Sequence, residues 1–141
     1  MGSPTIIALT GFVVWALVLL VLMEAIRTKM VMSKEVVANG FVPDNANLSP
    51  FMQRLARAHA NCIEGLPIFG GLLVIALISG HPEITNSLAY VFLGARVIQS
   101  LIHLSSLSAL AVTLRFSAFS VQLVVAIIWS WQLLSVLVSG N

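Results

Sequence analysis

The chain has 141 residues, of which 59% are hydrophobic and 9% charged, with a formal net charge of +2 and a mean hydropathy of +1.03. The length fits one domain, 1–141, and the composition excludes a soluble globule, which needs a charged surface; an all-α integral membrane protein meets it. The small charge, with no basic run carrying interleaved aromatics, speaks against nucleic acid as a partner, and the lone Cys62 excludes an intrachain disulfide and a cysteine-only metal cluster.

The first helix is expected over 5–26. Its apolar run from Thr5 to Met23 lacks a preceding basic region and a following A-x-A pattern, so it reads as a retained membrane span rather than a signal peptide. A polar loop follows, holding both lysines and the turn pairs Asn39-Gly40, Pro43-Asp44 and Ser49-Pro50. The second helix is expected over 51–79, with Ser49 as N-cap, Pro50 at its first position and a kink at Pro67. After the turn Gly80–Glu83, the stretch Ile84–Val138 would extend about 80 Å as one helix, against a hydrocarbon core of about 30 Å. It must fold back once. The serine-rich segment Ser105–Arg115 is the softest place, giving helices at 84–105 and 113–138. Arg27, Lys29, Lys34, Arg54 and Arg57 flank the first loop and Arg115 the third, so both termini are expected outside and these loops in the cytoplasm.

The second helix carries a polar stripe. At about 100° per residue, Arg54, Arg57, Asn61 and Glu64 fall within roughly 80° of arc, while His59 points elsewhere. The third helix repeats the pattern with Arg96, Gln99 and His103, and the fourth with Arg115 and Gln122. Such residues in a membrane face the protein interior or a water-filled cavity. One reading is structural: Glu64 neutralises Arg57 or Arg96, and Asn61 bonds between helices. Yet Arg54, Arg57, Arg96 and Arg115 outnumber Glu64, and that surplus seeks an anionic ligand. His59 and His103 lie on separate helices without a carboxylate or cysteine at ligand spacing, so no metal is expected.

The run R-x-x-R-A-H-x-N-x-x-E-x-x-P, filled by Arg54, Arg57, Ala58, His59, Asn61, Glu64 and Pro67, resembles the MAPEG family, membrane-associated proteins in eicosanoid and glutathione metabolism. The segment NCIEGLP resembles the leukotriene-forming branch, and Gly94-Ala95-Arg96 the third-helix signature of microsomal glutathione transferases, here of bacterial type. The resemblance implies a four-helix membrane bundle assembled as a homotrimer, with glutathione sites between subunits on the cytoplasmic side. It implies that Arg57 clamps a glutathione carboxylate, Asn61 bonds the peptide and Glu64 takes the ammonium. Arg54, Arg96, Gln99 and His103 complete the set, with Arg27 or Lys29 contributing from a neighbouring subunit. It also implies that Arg115 lies beside the sulfur, where a cation lowers the thiol pKa. The sequence departs from the family where tyrosines are common: His103 and Phe119 stand there.

Two functions follow from the resemblance. One is a detoxifying glutathione transferase, with or without peroxidase activity, that conjugates a lipophilic electrophile entering from the lipid. The other is a non-catalytic scaffold that presents lipid or glutathione. Retention of Arg57 and Arg115 favours the enzyme. The short loops and the absence of organelle signals suggest a bacterial inner membrane.

Overall fold

The computed structural model describes residues 3–140. Among them there is no strand, and helices α1 (Pro4–Met32), α2 (Pro50–Gly65), α3 (Gly71–Ile78), α4 (Pro82–Asn86), α5 (Ala89–Ser105) and α6 (Ala109–Ser139) follow in order. Three helical stretches, Pro4–Met32, Pro50–Ile78 and Ala109–Ser139, are long and apolar enough to cross a membrane; Ala89–Ser105 is apolar but shorter.

Local chemistry sets these boundaries. Ser3, Ser49 and Ser108 each cap a helix, their hydroxyls accepting from the N–H groups of Ile6, Met52 and Ala111. Ser108 is why α6 starts at Ala109 rather than near 113. α1 runs to Met32, past the expected end at 26, and stops where Lys34 turns to φ 62°. The third helical segment is split, because the short α4 precedes α5. At Pro67 the chain does not break. A π-helical turn, Leu66–Gly70, joins α2 to α3. Proline has no N–H to give the α ladder, and the wider turn absorbs the gap inside a continuing helix.

The core is aromatic and lies where α1, α2, α5 and α6 meet. Phe92 stacks on Phe12 at 5.5 Å, Phe69 at 5.1 Å and Trp129 at 5.8 Å between ring centroids. Such tilted pairs add about 0.5–1.5 kcal/mol each beyond area burial. α1 and α5 approach closely because residue 11 is glycine: a Cβ there would fall 2.7 Å from a Leu93 methyl. The outward faces are greasy. Ile6, Val13, Val14, Leu17, Val18 and Val21 on α1 are all exposed, as are Leu123, Val124 and Ile127 on α6, which suits lipid or another copy of the chain.

At the end opposite the long loop, α1 is tied to α4. The buried Thr5 and Thr85 hydroxyls meet each other and share the Pro82 carbonyl, and Thr5 N–H donates to Asn86 Oδ1 at 3.1 Å. At the loop end, Arg27 Nε donates to Asn45 Oδ1 at 3.1 Å and Asn45 Nδ2 to the Met52 carbonyl at 2.7 Å, pinning the loop to α1 and α2. The buried Asn45 sits at φ 57°, a conformation that asparagine tolerates better than most residues.

Candidate functional site

A cavity of about 590 Å³ opens between α2, the π turn, α5 and α6. Its polar wall consists of Asn61 and Glu64 from α2, Arg96 and Gln99 from α5, and Arg115 from α6. Its apolar wall runs from Phe69 on the π turn to Phe119, Leu123 and Ile127 on α6. Five of the residues expected to serve the site therefore share one cavity. Asn61 and Glu64 reach it because they are three apart on α2, nearly one turn; Arg96 and Gln99 repeat the spacing on α5.

The other expected residues stand around the cavity without lining it. His103 is buried at the end of α5, with Nδ1 3.4 Å from Asn61 Nδ2. Arg57 is exposed and makes no hydrogen bond or ion pair among the described residues. Arg54 Nε donates to the Leu104 carbonyl at 2.9 Å, satisfying a carbonyl in the last turn of α5. Arg27 is occupied within its own chain: besides Asn45 it holds the Val42 carbonyl and Glu24, and it lies over the Phe41 ring. Lys29, two residues on, is exposed. His59 lies toward α1, with Glu24 its charged neighbour.

Among the described residues the cavity's charges form no ion pair. The ion pairs among the described residues are Arg27–Glu24 and His81–Glu83. Glu64 pairs with neither Arg57 nor Arg96, so the reading in which it merely neutralises them fails within the single chain. Arg96 is 1% exposed. Its Nη1 reaches the Asn61 carbonyl at 3.5 Å, and its plane lies over Phe12 and Phe69 at 5.3 Å and 5.5 Å. Its Nε and Nη2, together with His103 Nε2 and Gln122 Oε1, are buried without a partner. Trp15 Nε1 and Trp129 Nε1 are unpartnered as well; of these residues Arg96 alone lines the cavity, and since most buried polar groups find partners, its two free nitrogens mark a place for something else.

Gln122, which the sequence places with Arg115 on the polar face of the fourth helix, donates Nε2 to Gln99 Oε1 at 2.7 Å and fixes the amide that faces the cavity. Other residues of the site escape sequence reasoning. Cys62 Sγ meets Ser100 Oγ at 3.7 Å inside the α2–α5 contact. Phe69 had no signal, because the π turn displaces it from the register of a regular helix.

The model of the MAPEG family matches residues 5–135 of this chain, which include the cavity and every expected site residue. No curated protein matches, and no solved structure does. The chain belongs to the MAPEG family, the membrane-associated proteins of eicosanoid and glutathione metabolism.

Proposed function

We propose that the protein is a membrane glutathione transferase, a single four-span domain working as a homotrimer with both termini outside and the cavity mouth facing the cytoplasm of a bacterium. The observation that carries this reading is the cavity itself: Asn61, Glu64, Arg96 and Arg115 on one side, an apolar wall on the other, and no ion pair among the described residues to neutralise its charges. Glutathione has two carboxylates, one ammonium and a thiol. Arg57, with Arg54 behind it, takes a carboxylate, Glu64 the ammonium, and Asn61, Gln99 and His103 the peptide groups. Arg115 faces the thiol and favours the thiolate. The thiolate attacks a lipophilic electrophile held on the apolar wall; the same sulfur is suited to reducing a hydroperoxide.

Exposure supports the trimer. Arg57 and Glu64 are exposed on a membrane helix in the single chain, and charges facing lipid are costly. Further copies around a three-fold axis cover them. Because Arg27 is engaged with its own loop, Lys29 is the free cation that α1 offers to a neighbouring copy.

The test is a difference spectrum on adding glutathione to detergent-purified protein. A thiolate band near roughly 240 nm, with conjugation of an aryl halide above the uncatalysed rate, is expected. Glutathione binding without either signal would replace the enzyme by the scaffold reading, and no binding would overturn both.

A further inference from the structure

We infer that the end of the molecule opposite the long loop carries a second binding site, a pocket between α4 and α6 in which Glu83 and Trp131 hold the headgroup ammonium of a phospholipid bearing a primary amine. The pocket shares no lining residue with the glutathione cavity, so the inference stands apart from the transferase reading.

A cavity of about 460 Å³ opens there, lined by Glu83, Ile84 and Ser87 on one side and by Trp131, Gln132 and Ser135 of α6 on the other. Helical spacing assembles it. Glu83 and Ser87 are four apart and share a face, while Thr85 between them is buried against Thr5. The bonds of Thr85 and Asn86 to Thr5 hold α4 on α1, so Glu83 is offered by a fixed element. Trp131 and Ser135 are likewise four apart, and Ser135 Oγ donates to the Trp131 carbonyl at 2.8 Å. Trp131 is 73% exposed, whereas Trp129 is buried in the core. Among the described residues the side chains of Ser87, Trp131 and Gln132 make no hydrogen bond, and of the Glu83 oxygens Oε1 alone is engaged, by His81 at 3.0 Å.

Charge selects the ligand. Glu83 is the single Asp, Glu, Lys or Arg between Gly65 and Ala95, and none follows Arg115. The pocket therefore presents one negative charge, and no Lys or Arg lines it. The Glu83 backbone N–H and then the His81 side chain hold its carboxyl below the ordinary carboxylate range, so it is ionised at neutral pH. A carboxylate beside an open indole face attracts one ammonium twice, by a charge-assisted bond and by a cation–π contact. A primary ammonium also has N–H donors for Glu83 Oε2 and the Gln132 carbonyl; a quaternary one has none. The Ser87 hydroxyl and the Gln132 amide N–H groups suit the phosphate oxygens that follow in such a headgroup. Depth agrees. Trp131 stands sixteen positions after Arg115, about 24 Å along α6, against a hydrocarbon core of about 30 Å. That is the level at which tryptophans and headgroups meet. The tail has a track as well, because Ile127 and Val124, one and two turns before Trp131 on the same face, are exposed. An interfacial tryptophan alone needs neither a carboxylate nor a cavity beside it; the three together select a headgroup.

The experiment couples carboxylates to amines with a carbodiimide on the full chain in phosphatidylcholine nanodiscs that contain a minor share of palmitoyl-oleoyl phosphatidylethanolamine. Peptide mass mapping reads the lipid adduct at each carboxylate, and parallel labelling with glycinamide, which has neither phosphate nor tail, normalises for the reactivity of each carboxylate. The normalised lipid adduct at Glu83 should exceed that at the exposed loop residues Glu35 and Asp44 about tenfold. Trp131→Leu keeps bulk but loses the π face, and should lower the Glu83 adduct about fivefold while leaving Glu35 and Asp44 unchanged. Free phosphoethanolamine, at the same amine concentration in discs without the lipid, should label Glu83 at least about tenfold less, because no tail holds it on α6. A Glu83 adduct no greater than that of the loop residues, or one unmoved in Trp131→Leu, would overturn the inference. Equal labelling by free phosphoethanolamine would overturn it too, giving the pocket to a soluble amine.

Discussion

Two polar clusters among the described helices differ in satisfaction. At the far end, Thr5, Thr85, Asn86 and the Pro82 carbonyl answer one another. At the cavity, Arg96, His103 and Gln122 each keep a buried atom without a partner. Both clusters are costly to place among apolar helices. The first recovers that cost within the chain, as a structural device should. The second does not, and its Arg96 lines an open space. Polarity in a membrane helix is thus a weak indicator of function, and unmet hydrogen-bonding capacity a much stronger one.

The sharpest way to break this comparison is to remove Arg115. If the cavity cluster exists to handle a thiolate, Arg115→Ser leaves glutathione binding largely intact, because the carboxylate contacts remain. It lowers conjugation of a chromogenic aryl halide about 10- to 100-fold near neutral pH, equivalent to one or two pK units of lost thiolate stabilisation. The loss shrinks as pH rises and hydroxide in solution deprotonates the thiol. Arg115→Lys keeps part of the rate, since charge matters more here than a bidentate fork. An Arg115→Ser profile that overlays the wild type from pH 6 to 9 places the activating group elsewhere, with His103 the next candidate.

The carboxylate and ammonium anchors come next. Arg57→Ala and Glu64→Ala each remove a charge-assisted bond of about 1.5–3 kcal/mol, so glutathione affinity by calorimetry falls roughly 10- to 100-fold. His59→Ala, on the α1 side of the helix, has the smaller effect. The reverse ranking would show that the stripe on α2 faces the wrong way.

The far-end cluster should respond in the opposite sense. Thr5→Val replaces the hydroxyl by a methyl of similar size and removes its bonds to Thr85, Pro82 and Asn86, at about 0.5–1.5 kcal/mol each, while Thr85 keeps the Pro82 carbonyl. Thermal unfolding in detergent should fall by several degrees while glutathione affinity stays unchanged. An affinity loss equal to that of Glu64→Ala would erase the distinction between the two clusters.

Much of the cavity is legible in the sequence because helical spacing is rigid: Asn61 with Glu64 and Arg96 with Gln99 fall on one face by arithmetic, and they line the same space. Family membership was legible for the same reason, since it rests on those spacings. What escapes is whatever depends on a backbone partner. Arg54 faces a carbonyl of Leu104, and Arg27 a carbonyl of Val42; every residue carries a carbonyl, so no residue type announces these bonds. The π turn at Leu66–Gly70 escapes as well. Proline announces a disturbance there but not whether the helix kinks or widens, and that choice decides that Phe69 meets Arg96. The start of α6 was ambiguous because several neighbouring serines can cap, and only the structure selects Ser108.

The smallest expected effect lies beside the far-end cluster, at the exposed pair His81–Glu83, 3.0 Å apart. The Glu83 backbone N–H in the first turn of α4, and then the His81 side chain, hold the Glu83 carboxyl below the ordinary carboxylate range. A folded-state value below the unfolded one means that the carboxylate adds stability above its unfolded pKa and loses that contribution as pH falls through the folded value. Full exposure and salt screening keep the contribution small. Glu83→Gln should therefore lower the melting temperature by no more than about 2 °C at neutral pH. The gap between variant and wild type should close as pH drops below the ordinary carboxylate range, and it should narrow in high salt. A gap that persists in acid, or one as large as that of Thr5→Val, would mean that the far end relies on an ionised group, and its contrast with the charged cavity would no longer hold.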